Sequence, residues 1–198
     1  MQGDRVVDSG LRIVVAVTGA SGAIYARQTL ERLSASDSVS RIALVCSKTA
    51  AATIAFEGES LPSGPKIEIF SNDDLFAAPA SGSARWDAMI VVPCSTGTLG
   101  RIACGTSQTL IERAADVMLK ERRRLILAVR ETPYSLVHLR NMTAVTEAGG
   151  IIVAASPSFY SRPATFGELA ATVLERIVTL AGVETPRYEW TGGSPSSC

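Results

Sequence analysis

The chain has 198 residues, of which 46% are hydrophobic and 19% charged, and its formal net charge is zero. That length suits one domain with a substantial core. The neutral balance excludes the basic excess of a nucleic-acid binder, and an aromatic content of 6% leaves no broad base-stacking surface. No apolar run reaches the roughly 18 residues that span a bilayer. The first ten residues lack the apolar core of a signal peptide, so a cytoplasmic protein is expected. Cys46, Cys94, Cys104 and Cys198 show neither a Cys-x-x-Cys pair nor metal-ligand spacing, which predicts free thiols. With His138 as the single histidine, neither a His-rich zinc site nor a Ser–His couple is expected, and no metal is called for.

In chain order, a tail at 1–11 is expected to be flexible and to lead into an apolar strand at 12–17. Further Val/Ile/Ala-rich runs at 41–46, 88–92, 124–129 and 150–155 read as strands buried on both faces, with a weaker one at 66–70. Between them lie helical periodicities at 22–34, 48–57, 96–104, 108–122 and 135–148. A last helix is expected from Phe166 to Ala181, ended by Gly182, before a Gly/Ser/Pro-rich tail at 191–198. Strands alternating with helices imply an α/β fold, a Rossmann-like three-layer α/β/α domain with a mostly parallel sheet, over residues 12–190.

Two strand-to-helix corners carry the chemistry. The first is Thr18-Gly19-Ala20-Ser21-Gly22, and the second is Cys94-Ser95-Thr96-Gly97-Thr98. In α/β sheets ligands sit beyond the carboxyl ends of strands, and helix N-termini attract phosphates. The first corner lacks the full Gly-x-Gly-x-x-Gly fingerprint, because position 21 is serine. On its own it could be a tight turn, but the Ser21 hydroxyl suits a phosphate or a flavin ring edge. Ser95 alone reads as a helix N-cap, and pairing with the first corner argues for a ligand. The strand at 124–129 ends in Arg130-Glu131-Thr132-Pro133, and charged groups there are normally paired or on a ligand. The aromatic run Ser158-Phe159-Tyr160 between Pro157 and Pro163 reads as a site wall.

Together these segments resemble the UbiX-type flavin prenyltransferases. The matching text is Thr-Gly-Ala-Ser-Gly-Ala-Ile-Tyr (18–25), Val-Pro-Cys-Ser-x-x-Thr-Leu (92–99) and Arg-Ala-Ala-Asp-Val-x-Leu-Lys-Glu-Arg-Arg (113–123). Arg-Glu-Thr-Pro (130–133), Asn141-Met142 and Phe-Tyr-x-x-Pro (159–163) complete it, so the likeness spans about residues 12–182. It implies transfer of a dimethylallyl group from dimethylallyl phosphate to N5 and C6 of reduced FMN, giving prenylated FMN for a UbiD-type decarboxylase. FMN would contact Gly19, Ala20, Ser21, Ser47, Ser95, Thr96, Gly97, Thr98 and Arg130. The prenyl phosphate would be gripped by Lys120, Arg130, Tyr160 and Arg176, with Ser21, Glu57 and Glu131 nearby. The resemblance also implies a homo-oligomer, a dodecamer with shared sites, and no nucleic-acid or membrane partner.

Two departures stand out. The aromatic usual after Ser-Gly-Ser is Ala84 here, which leaves Trp86 or Trp190 as the expected wall over the prenyl chain. Ala154-Ala155 replaces the usual Pro-Pro. Two rival readings are an FMN-dependent cysteine decarboxylase of the same fold and an FMN-binding protein without catalysis. The first would need an early histidine base and a proline ahead of Asn141-Met142, both missing here. The second would have no use for the Lys120, Arg130 and Arg176 cations.

Overall fold

A computed structural model describes residues 10–185; Trp190, the expected tail at 191–198 and all but the end of the expected tail at 1–11 lie outside them. The strands are β1 (Leu11–Val17), β2 (Val39–Cys46), β3 (Ile67–Phe70), β4 (Ala88–Cys94), β5 (Arg124–Val129) and β6 (Ile151–Ala154). All pairings among them are parallel, in the order β3-β2-β1-β4-β5-β6. The helices are α1 (Ala23–Ala35), α2 (Lys48–Phe56), α3 (Thr96–Ala103), α4 (Leu110–Lys120), α5 (Leu136–Glu147) and α6 (Phe166–Leu180). Each expected element is present, with its ends within about two residues of the sequence reading.

Burial explains the strand sequences. Ile13 to Val17 and Met89 to Val92 are at most 1% exposed, because helices cover both faces. One core half joins the sheet to α1, α2 and α6 through Leu30, Leu33, Ala50, Leu174 and Ile177. The other joins it to α3, α4 and α5 through Leu99, Leu110, Met118 and Val145. The helices therefore change face where the strand order reverses, between β1 and β4. Ligands of doubly wound sheets bind at that point, and the two corners singled out in the sequence flank it.

Two short 3-10 turns at Ala78–Ala80 and Gly82–Ala84, which the sequence pattern did not indicate, lead to Trp86 at the amino end of β4. Trp86 is fully buried, and the guanidinium groups of Arg12 and Arg41 lie 5.0 and 5.5 Å from its ring centre. This corrects the expectation of Trp86 as a prenyl wall: its ring belongs to the core at the rim opposite the carboxyl corners.

Candidate active site at the carboxyl rim of the sheet

Thr18 sews the two corners together. Its hydroxyl donates to the Pro93 carbonyl (2.7 Å) and accepts from the Ser95 amide (2.8 Å), and the residue is 1% exposed. Pro93 has no N–H for the ladder, so the threonine side chain supplies a cross-strand link near that point. Ser47 joins the same rim through its amide on the Val17 carbonyl at 2.9 Å. Gly19 is required by close approach: a Cβ there would lie 2.1 Å from Thr49 Oγ1 at the start of α2. Spacing along the chain cannot show these links, which join residues far apart in sequence.

The N-terminus of α1 is closed by a distant carboxylate. Gly22, at φ 113°, begins the helix without a side-chain cap. Glu57, just past α2, accepts from the Gly22 amide at 2.9 Å and the Ala23 amide at 2.7 Å. Burial alone would raise the Glu57 carboxyl. Hydrogen bonds from Ser21, Ala23 and Gly22, with the Arg130 charge nearby, more than offset it and hold the group below its ordinary value. Arg130, directly after β5, donates from Nε to the Ser21 carbonyl at 3.1 Å and from its amide to the Cys94 carbonyl at 3.1 Å. Glu131 turns instead to its own neighbour, accepting from the Thr132 amide at 3.0 Å.

Beside this network lies a cleft of about 490 Å³, lined by Ser21, Tyr25, Phe56, Glu57, Arg130 and Phe166 among others. Its charged end holds Arg130 and Glu57, and its other walls are mostly apolar. Burial raises the Tyr25 phenol, with the Arg130 charge opposing the shift. The second corner offers anion donors. Ser95 caps α3 by accepting from the Thr98 amide at 3.3 Å, as its sequence position suggested. The Thr96 and Gly97 amides occupy the first helical positions, where no intrahelical acceptor exists. A cleft holding Arg130 and Ser21, with the amides and hydroxyls of the second corner at the same rim, fits a phosphorylated flavin.

The expected site residues fall into three groups. Gly19, Ala20, Ser21, Ser47, Glu57, Arg130 and Ser95 through Thr98 meet at the carboxyl rim. Tyr160 stands in the loop after β6, in a separate hollow lined by Pro157 to Tyr160. That loop docks on α6, where the Ser158 amide donates to Thr172 Oγ1 at 2.9 Å. Arg176, exposed, follows Thr172 by one helical turn on the same face. Lys120 is the outlier. It ends α4 at the amino rim, pairs with Glu121 and lies beside Gly82. The six residues of β5, about 20 Å of strand, separate its rim from Arg130. Within one chain Lys120 and Arg130 do not meet. His138 accepts from the Ser135 amide at 3.2 Å as part of the α5 cap.

A family model described as Flavoprotein matches residues 4–179, which sets the class as a flavin-binding α/β protein. The flavin prenyltransferase UbiX of Thermoplasma acidophilum is 44% identical over 181 residues, covering 87% of this chain and 96% of the relative. A crystal structure of AnUbiX (PadA1) in complex with FMN and dimethylallyl pyrophosphate superposes with a TM-score of 0.84 at 42% identity. It covers 93% of this chain and 100% of that one. A dodecameric FMN-dependent UbiX-like decarboxylase from Escherichia coli O157:H7 gives 0.85 at 37% identity, covering 92% and 100%. The chain belongs to the UbiX-type flavin prenyltransferases of the flavoprotein family.

Proposed function

We propose that the chain transfers a dimethylallyl group from dimethylallyl phosphate to reduced FMN. The observation that carries this reading is Arg130, fixed on the Ser21 carbonyl beside the Glu57 carboxylate at the switch point of the sheet. When bound, reduced FMN supplies the nucleophile at N5 and the second bonding position at C6. Gly19, Ala20, Ser21, Ser47, Ser95, Thr96, Gly97 and Thr98 bind it, and Arg130 holds the donor phosphate against it. As the allylic C–O bond breaks, charge builds on the departing phosphate. Lys120, Arg130 and Arg176 stabilise that charge, and the Tyr160 hydroxyl donates to it. Glu57, ionised on the amides of α1, is the carboxylate that would accept the proton released on ring closure. Glu131 adjoins Arg130 and orders the turn behind it.

Since Lys120 lies at the amino rim and Tyr160 and Arg176 on the α6 face, the complete grip needs neighbouring copies. The chain therefore works as a homo-oligomer, a dodecamer like the one described for the Escherichia coli relative. Ala84, with Trp86 withdrawn into the core, leaves the prenyl wall to Tyr25, Phe56 and Phe166 of the cleft and to partner copies. The product serves a UbiD-type decarboxylase, and the protein acts in the cytoplasm. No helix among the described residues is long and apolar enough to cross a membrane.

Incubating the protein with reduced FMN and dimethylallyl phosphate, then weighing the flavin by mass spectrometry, tests the proposal. Gain of one five-carbon unit is expected. FMN returned unchanged, with the protein assembled and flavin bound, would overturn the transferase reading.

A further inference from the structure

Arg101 lies outside the set of residues that the family resemblance implies for the flavin. It stands on α3 one turn beyond Gly97 and is half-exposed, at 50% for its side chain. Its Nε donates to Glu112 Oε1 at 2.5 Å. Glu112 is 3% exposed and also accepts from the Gln108 and Thr109 amides at 2.9 and 3.1 Å, so it is a rigid anchor. From that anchor Nη2 reaches Thr98 Oγ1 at 3.2 Å. Apart from the adjoining chain and the helix's own backbone, Nη1 is the one atom near where a Gly97 side chain would begin, at 3.4 Å, and among the described residues no bond engages it. The guanidinium therefore sits against the open first turn of α3.

Thr98 supplies an independent pointer to a ligand. It is 2% exposed. Its oxygen accepts from the Ser95 hydroxyl at 3.1 Å and from Arg101. A hydroxyl has two acceptor positions and one proton. With both acceptor positions filled, Thr98 can only donate, yet none of the described residues takes that proton. At the other flavin corner the Glu57 carboxylate already takes the Gly22 and Ala23 amides at the start of α1.

We propose that Arg101, held by the buried Glu112, binds the phosphoryl end of FMN at the N-terminus of α3 and fixes the Thr98 hydroxyl as a donor to it. The inference rests on the flavin reading above and adds a residue that discriminates FMN from riboflavin. A guanidinium presents planar paired donors to a phosphate, and Gly97 leaves the space clear.

Flavin fluorescence titrations with oxidised FMN and with riboflavin, on the assembled protein, test it. Arg101→Met should weaken FMN binding about 10- to 100-fold, the range for a lost charged hydrogen bond. Riboflavin binding should stay within about twofold, and the salt dependence of FMN binding should flatten. Because Arg101→Met strands a buried carboxylate, Arg101→Met/Glu112→Gln is measured beside it and should show the same FMN-selective loss. Equal losses for the two flavins in the double variant, or unchanged FMN affinity in both variants, would overturn the role of Arg101. Wild-type protein that binds neither flavin would instead overturn the flavin reading itself.

Discussion

The two rims of the sheet are built by different means. At the carboxyl rim, backbone amides and short hydroxyls do the work: Thr18, Ser21, Ser95 and Thr98 bond one another, the strand ends and the Glu57 carboxylate. At the amino rim, long cationic side chains hold bare carbonyls. Arg12 donates to Ala84, Arg113 to Ala80 and Arg123 to Gly82, at 2.7, 3.1 and 2.9 Å. Lys120 stands beside that clamped loop. The first rim shapes a pocket; the second presents a stiff, charged edge to whatever adjoins it. A chain that cannot bring its own Lys120 to its own Arg130 has a reason to carry both.

The largest expected effect tests how far the amino rim depends on its buried ring. Trp86→Ala should cost about 3–5 kcal/mol of stability, seen as a lower midpoint in chemical denaturation. Losing the stacked Arg12 and Arg41 should add to it. A stable variant with altered preference for prenyl length would return Trp86 to the site.

Next come the two cations. Arg130→Ala and Lys120→Ala should each lower prenyl transfer by roughly 10²–10³-fold, with Lys120→Ala binding FMN normally. Co-assembled from a mixture of the two variants, the oligomer should recover part of the activity, because some composite sites then contain both cations. Absence of recovery in mixed oligomers confirmed by mass would mean that each chain completes its own site.

Thr18→Val keeps the shape but removes the bridge between corners. Leaving the Ser95 amide and Pro93 carbonyl without it should cost about 1–3 kcal/mol, and FMN affinity should fall with it. Unchanged affinity would show that the corners hold their spacing independently.

Smallest is the Glu57 cap, worth about 1 kcal/mol by analogy with other helix caps. Its carboxyl ionises below the ordinary value in the folded chain. The added stability is therefore present above the unfolded value and is lost as pH falls through the folded one. Denaturation of wild type and Glu57→Gln should differ at neutral pH and converge in acid. A gap that persists in acid would assign the difference to shape rather than charge.

Much of this was legible in the sequence because the signals are local. Val/Ile/Ala runs gave the strands, and Ser95 before a helical period gave a true cap. Arg130 after a buried run gave a charge at the rim. Trp86 in the core and Lys120 at the amino rim could not be read from the chain for the same reason: a motif tells which residues matter together, not at which end of the sheet each one stands. Helices of this fold run back toward the amino rim, so the end of α4 had to lie there. Thr18 falls inside a motif that gives it no role of its own, and no local pattern marks Arg101. Each acts through partners on other elements, such as Ser95 and Glu112, which periodicity cannot connect.

Thr18 also makes the mouth of the crevice adjustable. Between β1 and β4 the regular rungs run from Ile13–Ala88 to Ala16–Val91. Beyond them the separation at the lip rests on the backbone bond from Thr18 to Pro93, at 3.3 Å, and on one hydroxyl that gives a proton one way and receives one the other. It works as a caliper. An engineer seeking to admit a different flavin could widen or narrow the aperture by one side chain while leaving the sheet itself untouched.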